Sequence, residues 1–483
     1  MENNKSGIQI SKKAFFSSVA ILFVLMMIAG ILTKVIPPGS FERTVKDGIQ
    51  SIVPGTFSFD QAASYPVWRW FTAPLEVLVS SDAVMVITII LFIFIIGGTF
   101  TVLDKSGMLQ YIMNSLVHRF EKNKYRLMAV LILFFMLFGS VFGIFEELVA
   151  LVPIVILLSY ALGWDSLTGL GMSALASGFG FSAATLNPFT LGVAQQLAGL
   201  PAFSGILFRI GCFLVFYALL YFFVRRHAKK IEKEPQRSLV YEEDRGQREK
   251  YSQETGLKEL PNAQYLKTSV RIFATALGLV ILYIVAGFFI TALSAVSLPV
   301  MALVFLVGGM IAAKKSRYGG KLAKDFVTGI GGIAPSAILI LMAMSVKLII
   351  TKGGIMDTIL YYASQKISSM GPYAAILMIF ALVLTLNFFV GSGSAKAFLL
   401  IPIIAPLTDL VDVTRQAAVQ AFCFGDGFTN MLYPTNPLLM ITLGVTVVSY
   451  PKWFRWTIKL QLLVFAANIL LLLAAVAMVY GPY

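Results

Sequence analysis

The sequence predicts an all-α membrane protein of about nine transmembrane helices plus two re-entrant hairpins, arranged as two inverted repeats. Three observations predict it. Of 483 residues, 58% are hydrophobic and 13% are charged, whereas a soluble chain carries about 25% charged residues; the mean hydropathy is +0.83. Apolar runs long enough to cross a bilayer recur along the whole chain. The chain also matches itself. An offset of 249 carries Pro153 onto Pro402, Gly178-Phe179 onto Gly427-Phe428, Asn187-Pro188 onto Asn436-Pro437 and Glu147 onto Lys396, and an offset of 247 carries Lys105 and Gly107 onto Lys352 and Gly354.

Element by element, the reading begins with Lys12 and Lys13 before an apolar run to Val35, too long for a signal peptide core and without a cleavage site, so residues 1–36 hold the first span. Residues 37–81 carry Pro38-Gly39, Asp47-Gly48 and Pro54-Gly55, turn signals of a small extracytoplasmic element. Repeat 1, residues 82–226, opens with a span ending at Lys105. A segment from Leu127 to Tyr160 follows, interrupted by Gly139-Ser140, Gly143 and Glu146-Glu147. Non-helical backbone at membrane depth is tolerated only inside protein or beside a cavity, so this segment reads as a hairpin. A helix broken at Asn187-Pro188 and a return span to Arg225-Arg226 complete the repeat.

Residues 227–267 are charged with both signs and poor in aromatics, which reads as a solvated cytoplasmic linker. Two linking spans occupy residues 268–325. Repeat 2, residues 326–483, has its own hairpin, tipped by Gly391-Ser392-Gly393-Ser394-Ala395-Lys396, and its own break at Asn436-Pro437. Basic residues at 119–126, 225–226, 314–317 and 452–459 mark the cytoplasmic ends. They place the N-terminus inside a multi-pass protein of the cell inner membrane, and the repeats then start on opposite sides.

The formal charge of +14 lies in those short clusters, the pattern of membrane loops and not of a nucleic-acid surface. Cys212 and Cys423 show no CxxC spacing and His118 and His227 lie apart, so neither a disulfide framework nor a metal site is expected. No nucleophile elbow or nucleotide loop appears: the tip at residues 391–396 follows no strand and lacks Gly before Lys. Enzyme and ATP-driven pump are thereby disfavoured. A carrier is expected, without cofactor, with Na⁺ or H⁺ as the coupling ion.

Proline after asparagine removes a backbone donor and splits each broken helix, freeing groups that can hold ions and carboxylates. The substrate site is therefore expected at Glu146, Glu147, Asn187, Ser394, Lys396, Asp426, Thr435 and Asn436, and ion coupling at Ser140, Gly143, Thr185, Asn187, Ser392 and Asn436. Glu147 and Lys396 hold equivalent positions. Acidic groups facing a basic one suit a zwitterion, its amine at the glutamates and its carboxylate near Lys396 and Ser394. Lys396 paired with a neighbouring carboxylate as structural glue is the competing reading.

At these motifs the chain resembles the bacterial anaerobic C4-dicarboxylate carrier family, particularly its branch labelled as basic amino-acid antiporters. The Gly391–Lys396 tip followed by Pro402, the Asn436-Pro437 break and the Glu146-Glu147 tip carry the resemblance, which covers nearly the whole chain except residues 230–265. It implies membership of the ion-transporter superfamily: commonly homodimers with scaffold and transport domains and an elevator-type cycle. It leaves two substrates open, a basic amino acid such as arginine or ornithine, and a C4-dicarboxylate or other carboxylate.

Overall fold

The computed structural model describes residues 12–46, 49–60, 65–120, 123–252, 263–290, 293 and 296–481. It is helical almost throughout. The N-terminal helix α1 (Lys12–Val35) leads into two short antiparallel ladders, β1 (Gly39–Ser40) with β4 (Ser58–Phe59) and β2 (Arg43–Lys46) with β3 (Ile49–Ile52), the second in the register Lys46↔Ile49. The expected turn at Asp47-Gly48 lies outside the described residues. Then follow α2 (Val67–Glu76), α3 (Ala83–Lys105), α4 (Met108–Phe120), α5 (Lys124–Leu137), α6 (Val152–Ala161), α7 (Ser166–Leu170), α8 (Ala176–Ser182), α9 (Val193–Leu197) and α10 (Ile206–Lys233). A helix α11 (Tyr241–Ser252) precedes α12 (Ala263–Phe289), α13 (Ser297–Lys315), α14 (Leu322–Ile333), α15 (Pro335–Lys352), α16 (Met356–Ile367) and α17 (Pro372–Asn387). The chain closes with α18 (Gly393–Leu410), α19 (Arg415–Phe428), α20 (Pro437–Gly444) and α21 (Tyr450–Ala477).

Among the described residues, nine helices are long and apolar enough to cross a membrane, the number expected. Their identity differs in two places. Lys124–Phe142 and Gly393–Leu410, arms of the expected hairpins, are among the nine; the two broken helices are not. The reason is local. A helix divided at Asn-Pro presents only short pieces, such as α8, α9 and α20, none long enough to span by itself.

Lys124 to Trp164 traces a path that ends where it began. The rings of Tyr125 and Trp164 lie 5.8 Å apart, and the Tyr125 hydroxyl and the Trp164 indole N–H both donate to Glu232, at 2.6 Å each. Between them stand π-helical residues 138–142, the left-handed Gly143 and a 3₁₀ turn over 146–151. The two halves of the chain share local conformations. Left-handed residues follow α3 at Gly107 and α15 at Gly354, and recur at Gly163 and Asp412. Asp165 caps Thr168 N–H as Thr414 caps Ala417 N–H; Asn187 and Asn436 cap the helices that begin at Pro188 and Pro437. The α10 and α21 helices are both 28 residues long.

The helices form two packed groups. In one, α3 packs on α13 and α14, α12 on α13, and α1 on α15. In the other, α5 packs on α8, α17 on α19, and α8 on α19. The ladder element is pinned to α16, where buried Asp357 takes Arg43 at 2.8 Å and Phe41 N–H at 3.0 Å. Cys212 and Cys423 are each 1% exposed and unpaired, buried among apolar side chains.

Within the segment expected as a solvated cytoplasmic linker, the described residues 238–252 make specific contacts with the helices beside them. Val240, Asp244 and Tyr251 are buried. Asp244 accepts from the Tyr160 hydroxyl at 2.7 Å and from Ser166 N–H at 2.8 Å; Arg248 donates to Gly163 O, and Glu243 pairs with Lys452 at 2.5 Å. Tyr251 donates to Asp104 of α3. One helical stripe, with charged Asp244, Glu243 and Arg248 among its members, carries the contact.

Candidate functional site

Each tip is laced to its own broken helix. At the first, the Ser140 hydroxyl donates to Ala183 O at 2.7 Å and meets the Thr185 hydroxyl at 3.0 Å, while Ser140 O accepts from Thr185 N–H and Leu186 N–H. Asn187 accepts from Phe189 N–H at 2.9 Å and Thr190 N–H at 3.2 Å, satisfying donors that Pro188 leaves open at a helix start. Its Nδ2 is buried with no hydrogen-bond partner. Gly143 (φ +66°) must be glycine on two counts: the conformation is left-handed, and a Cβ there would sit 2.1 Å from Asn187 Oδ1. Close packing runs on behind the tip, since a Cβ on Gly180 of α8 would lie 2.0 Å from Met136 O of α5.

At the second tip, Ser392 caps α18, Thr435 donates to Phe388 O at 2.5 Å, and Asn436 donates to Asn430 Oδ1 at 2.9 Å while accepting from Leu438 N–H. Lys396 is fully buried. Its ammonium lies 2.5 Å from Asp426 Oδ1 and donates to Asn387 Oδ1; Asn387 Nδ2 in turn donates to Asp426 O and Thr429.

Between the tips and the other helix group is a cavity of about 570 Å³, the size of a small-molecule site. Of the expected substrate residues, Glu146, Glu147, Ser394, Thr435 and Asn436 line it; of the expected coupling residues, Gly143, Ser392 and Asn436 do. Ser140, Thr185 and Asn187 lie in the lacing behind the first tip. Lys396 and Asp426, expected to face substrate, are not on the wall, and their charges pair with each other behind it. Glu146 is open to the cavity, and Glu147 accepts from the Ser297 hydroxyl of α13 at 2.9 Å while its other oxygen is buried without a partner.

Sequence reasoning missed part of the wall. Asp82 at the start of α3 and Lys347 of α15 line the cavity and form an ion pair at 2.7 Å; Thr190, Tyr283 and Ser297 line it too. Lys347 had a readable signal, a lone charge inside the apolar run 335–351, the feature that singled out Lys396. Asp82 had none, because a carboxylate at the end of a polar segment is ordinary. Among the described residues, no group of three or more His, Cys, Asp or Glu side chains is placed to hold a metal ion.

Residues 15–477 match the family described as C4-dicarboxylate anaerobic carrier. The chain is 32% identical over 399 residues to the Escherichia coli K12 protein YfcC, provisionally named a basic amino acid antiporter, with 81% of this chain and 78% of that protein covered. It is 24% identical to an uncharacterized protein of Haemophilus influenzae Rd, over 92% of this chain and 94% of that one. Among solved structures it is similar to the Alcanivorax borkumensis YdaH transporter, with 16% identity, 96% of this chain and 98% of that chain covered and a TM-score of 0.41. Neisseria gonorrhoeae MtrF shows 15% identity, 94% coverage of both chains and a TM-score of 0.40. A multi-pass, nearly all-helical chain with a solute-sized cavity beside its laced tips has the architecture of a transporter, and this chain belongs to the C4-dicarboxylate anaerobic carrier family.

Proposed function

We propose that the protein is a secondary active transporter of the inner membrane that carries a basic amino acid such as arginine or ornithine through an elevator-type cycle. The observation that carries the substrate class is the pair Glu146 and Glu147 on the cavity wall. Two carboxylates on one 3₁₀ turn attract ammonium and guanidinium groups and repel a dicarboxylate. The name given to YfcC agrees with this. The same carboxyl groups can trade a proton against the substrate's cation, so H⁺-coupled uptake and amino-acid exchange both follow from one site. Na⁺ is the alternative coupling ion, its donors Ser392 and Asn436 on the wall.

The two tips are read as re-entrant hairpins and the halves of the chain as inverted repeats, with the N-terminus cytoplasmic and the protein a homodimer. The recurring caps and left-handed residues at equivalent positions support the repeat. Transport of a C4-dicarboxylate is the second reading, favoured by the family's description.

Counterflow and uptake in proteoliposomes test this, using labelled arginine, ornithine and succinate with and without Na⁺ and proton gradients. Saturable exchange of arginine or ornithine is expected, reduced at least tenfold by Glu146→Gln. Succinate exchange without amino-acid exchange would replace the first reading by the second.

A further inference from the structure

The cavity wall carries four charged side chains among the described residues: Asp82, Glu146, Glu147 and Lys347. Lys347 is its one cation, because Lys396 is sealed behind the second tip with Asp426. The Lys347 ammonium lies 2.7 Å from Asp82 Oδ2, and both side chains are about one-quarter exposed, open to the cavity. An ammonium has three donors, and Asp82 takes one. Because the pair opens on the cavity instead of being sealed, the ammonium keeps two donors that a second anion can reach.

We propose that Lys347, held in place by Asp82, recognises the α-carboxylate of the transported amino acid and separates amino acids from the amines of the same length that lack it. The inference rests on the basic-amino-acid reading and deepens it. With Asp82 and Lys347 neutralising each other, the wall has two carboxylates in excess, matching the two cations of ornithine or arginine. That excess alone would accept a diamine equally well. A diamine brings no group for Lys347 and gains nothing there, whereas a basic amino acid engages the glutamates and Lys347 together. Tyr283, Met344, Phe142 and Phe389 line the same cavity and exclude water from part of it, which strengthens charge recognition. Lys347 also belongs to α15 and Asp82 immediately precedes α3, whereas the glutamates sit on the first tip. Bound substrate would therefore bridge elements from both helix groups.

The test measures, in ornithine-loaded proteoliposomes, the concentrations of unlabelled ornithine and putrescine that halve uptake of labelled ornithine. The unmodified protein should prefer ornithine by tenfold or more. Lys347→Gln should raise the ornithine value at least tenfold and move the putrescine value less than threefold, and Lys347→Arg, which keeps the cation, should preserve the preference. Ligand-induced thermal stabilisation of detergent-purified Lys347→Gln supplies a readout independent of transport, and the ornithine shift should fall to the size of the putrescine shift. Equal losses for both ligands, or an unchanged ornithine value, would overturn the role of Lys347 alone. Absence of basic-amino-acid exchange by the unmodified protein would overturn the substrate reading and this inference together.

Discussion

At the residue scale, the sharpest contrast is between two lysines in apolar segments. Lys347 opens on the cavity, while Lys396 is fully enclosed with Asp426 at 2.5 Å. Charges taken out of water are costly unless paired, and removing one partner strands the other. Lys396→Met should therefore destabilise the detergent-purified protein by about 3–5 kcal/mol, and Lys396→Met with Asp426→Leu should recover most of that loss. Thermal unfolding of the single and double variants checks it; a double variant no more stable than the single one would show that the pair is more than structural. The sequence marked Lys396, Glu146, Glu147 and Asp426 alike, as ionisable residues at membrane depth. Which of them face substrate was not legible, because burial of a pair and exposure to a cavity leave the same trace in a hydropathy pattern.

At the scale of elements, breaks and caps were legible and docking was not. Asn187-Pro188 and Asn436-Pro437 break helices as proline chemistry requires, and Gly143 turns the first tip. By contrast, α11 hid its contact face among charges: Asp244 and Tyr251 are buried members of a strongly polar helix. Burial, and then the charge of Asp165, push the Asp244 carboxyl from its ordinary 3.8 up to about 7. At Asp165, burial is outweighed by His227 at 2.9 Å and by hydrogen bonds from His227, Ser238 and Thr168, which hold its carboxyl well below the usual range. Docking thus binds a proton at Asp244 more tightly than the released helix does. Its contribution is complete below about pH 4 and is lost as pH rises through 7; the Asp165 contribution runs oppositely, lost only as pH falls below the ordinary carboxylate range. Hydrogen exchange of residues 241–252, corrected for intrinsic rate, should accelerate between pH 5 and 7.5. Asp244→Asn should abolish that dependence, and a slope unchanged by the substitution would assign it elsewhere.

At the scale of the molecule, the cavity samples one end of the helix bundle. Asp82 begins α3, Ser297 begins α13, and Lys347 lies near the end of α15. In the proposed orientation all three are extracytoplasmic ends, so this conformation presents the site outward. Ser394→Cys, on the second tip, should react with a membrane-impermeant maleimide added outside right-side-out vesicles, and a change in that rate on adding substrate would report the moving tip. Labelling only in inverted vesicles would reverse the orientation. The overall class, the number of candidate spans and the pairing of tips with breaks were readable because they rest on periodicity and proline. The wall contributed by α3, α12, α13 and α15 was not, since it forms only when helices distant in sequence meet.

The two native thiols, each 1% exposed, give such labelling a useful property. A bulky polar reagent reaches neither Cys212 nor Cys423 in the folded chain, so the unaltered protein is optically dark to thiol dyes. A single introduced cysteine becomes the whole signal, and site-by-site reporters of the transport cycle can be built on the natural sequence, with its packing undisturbed.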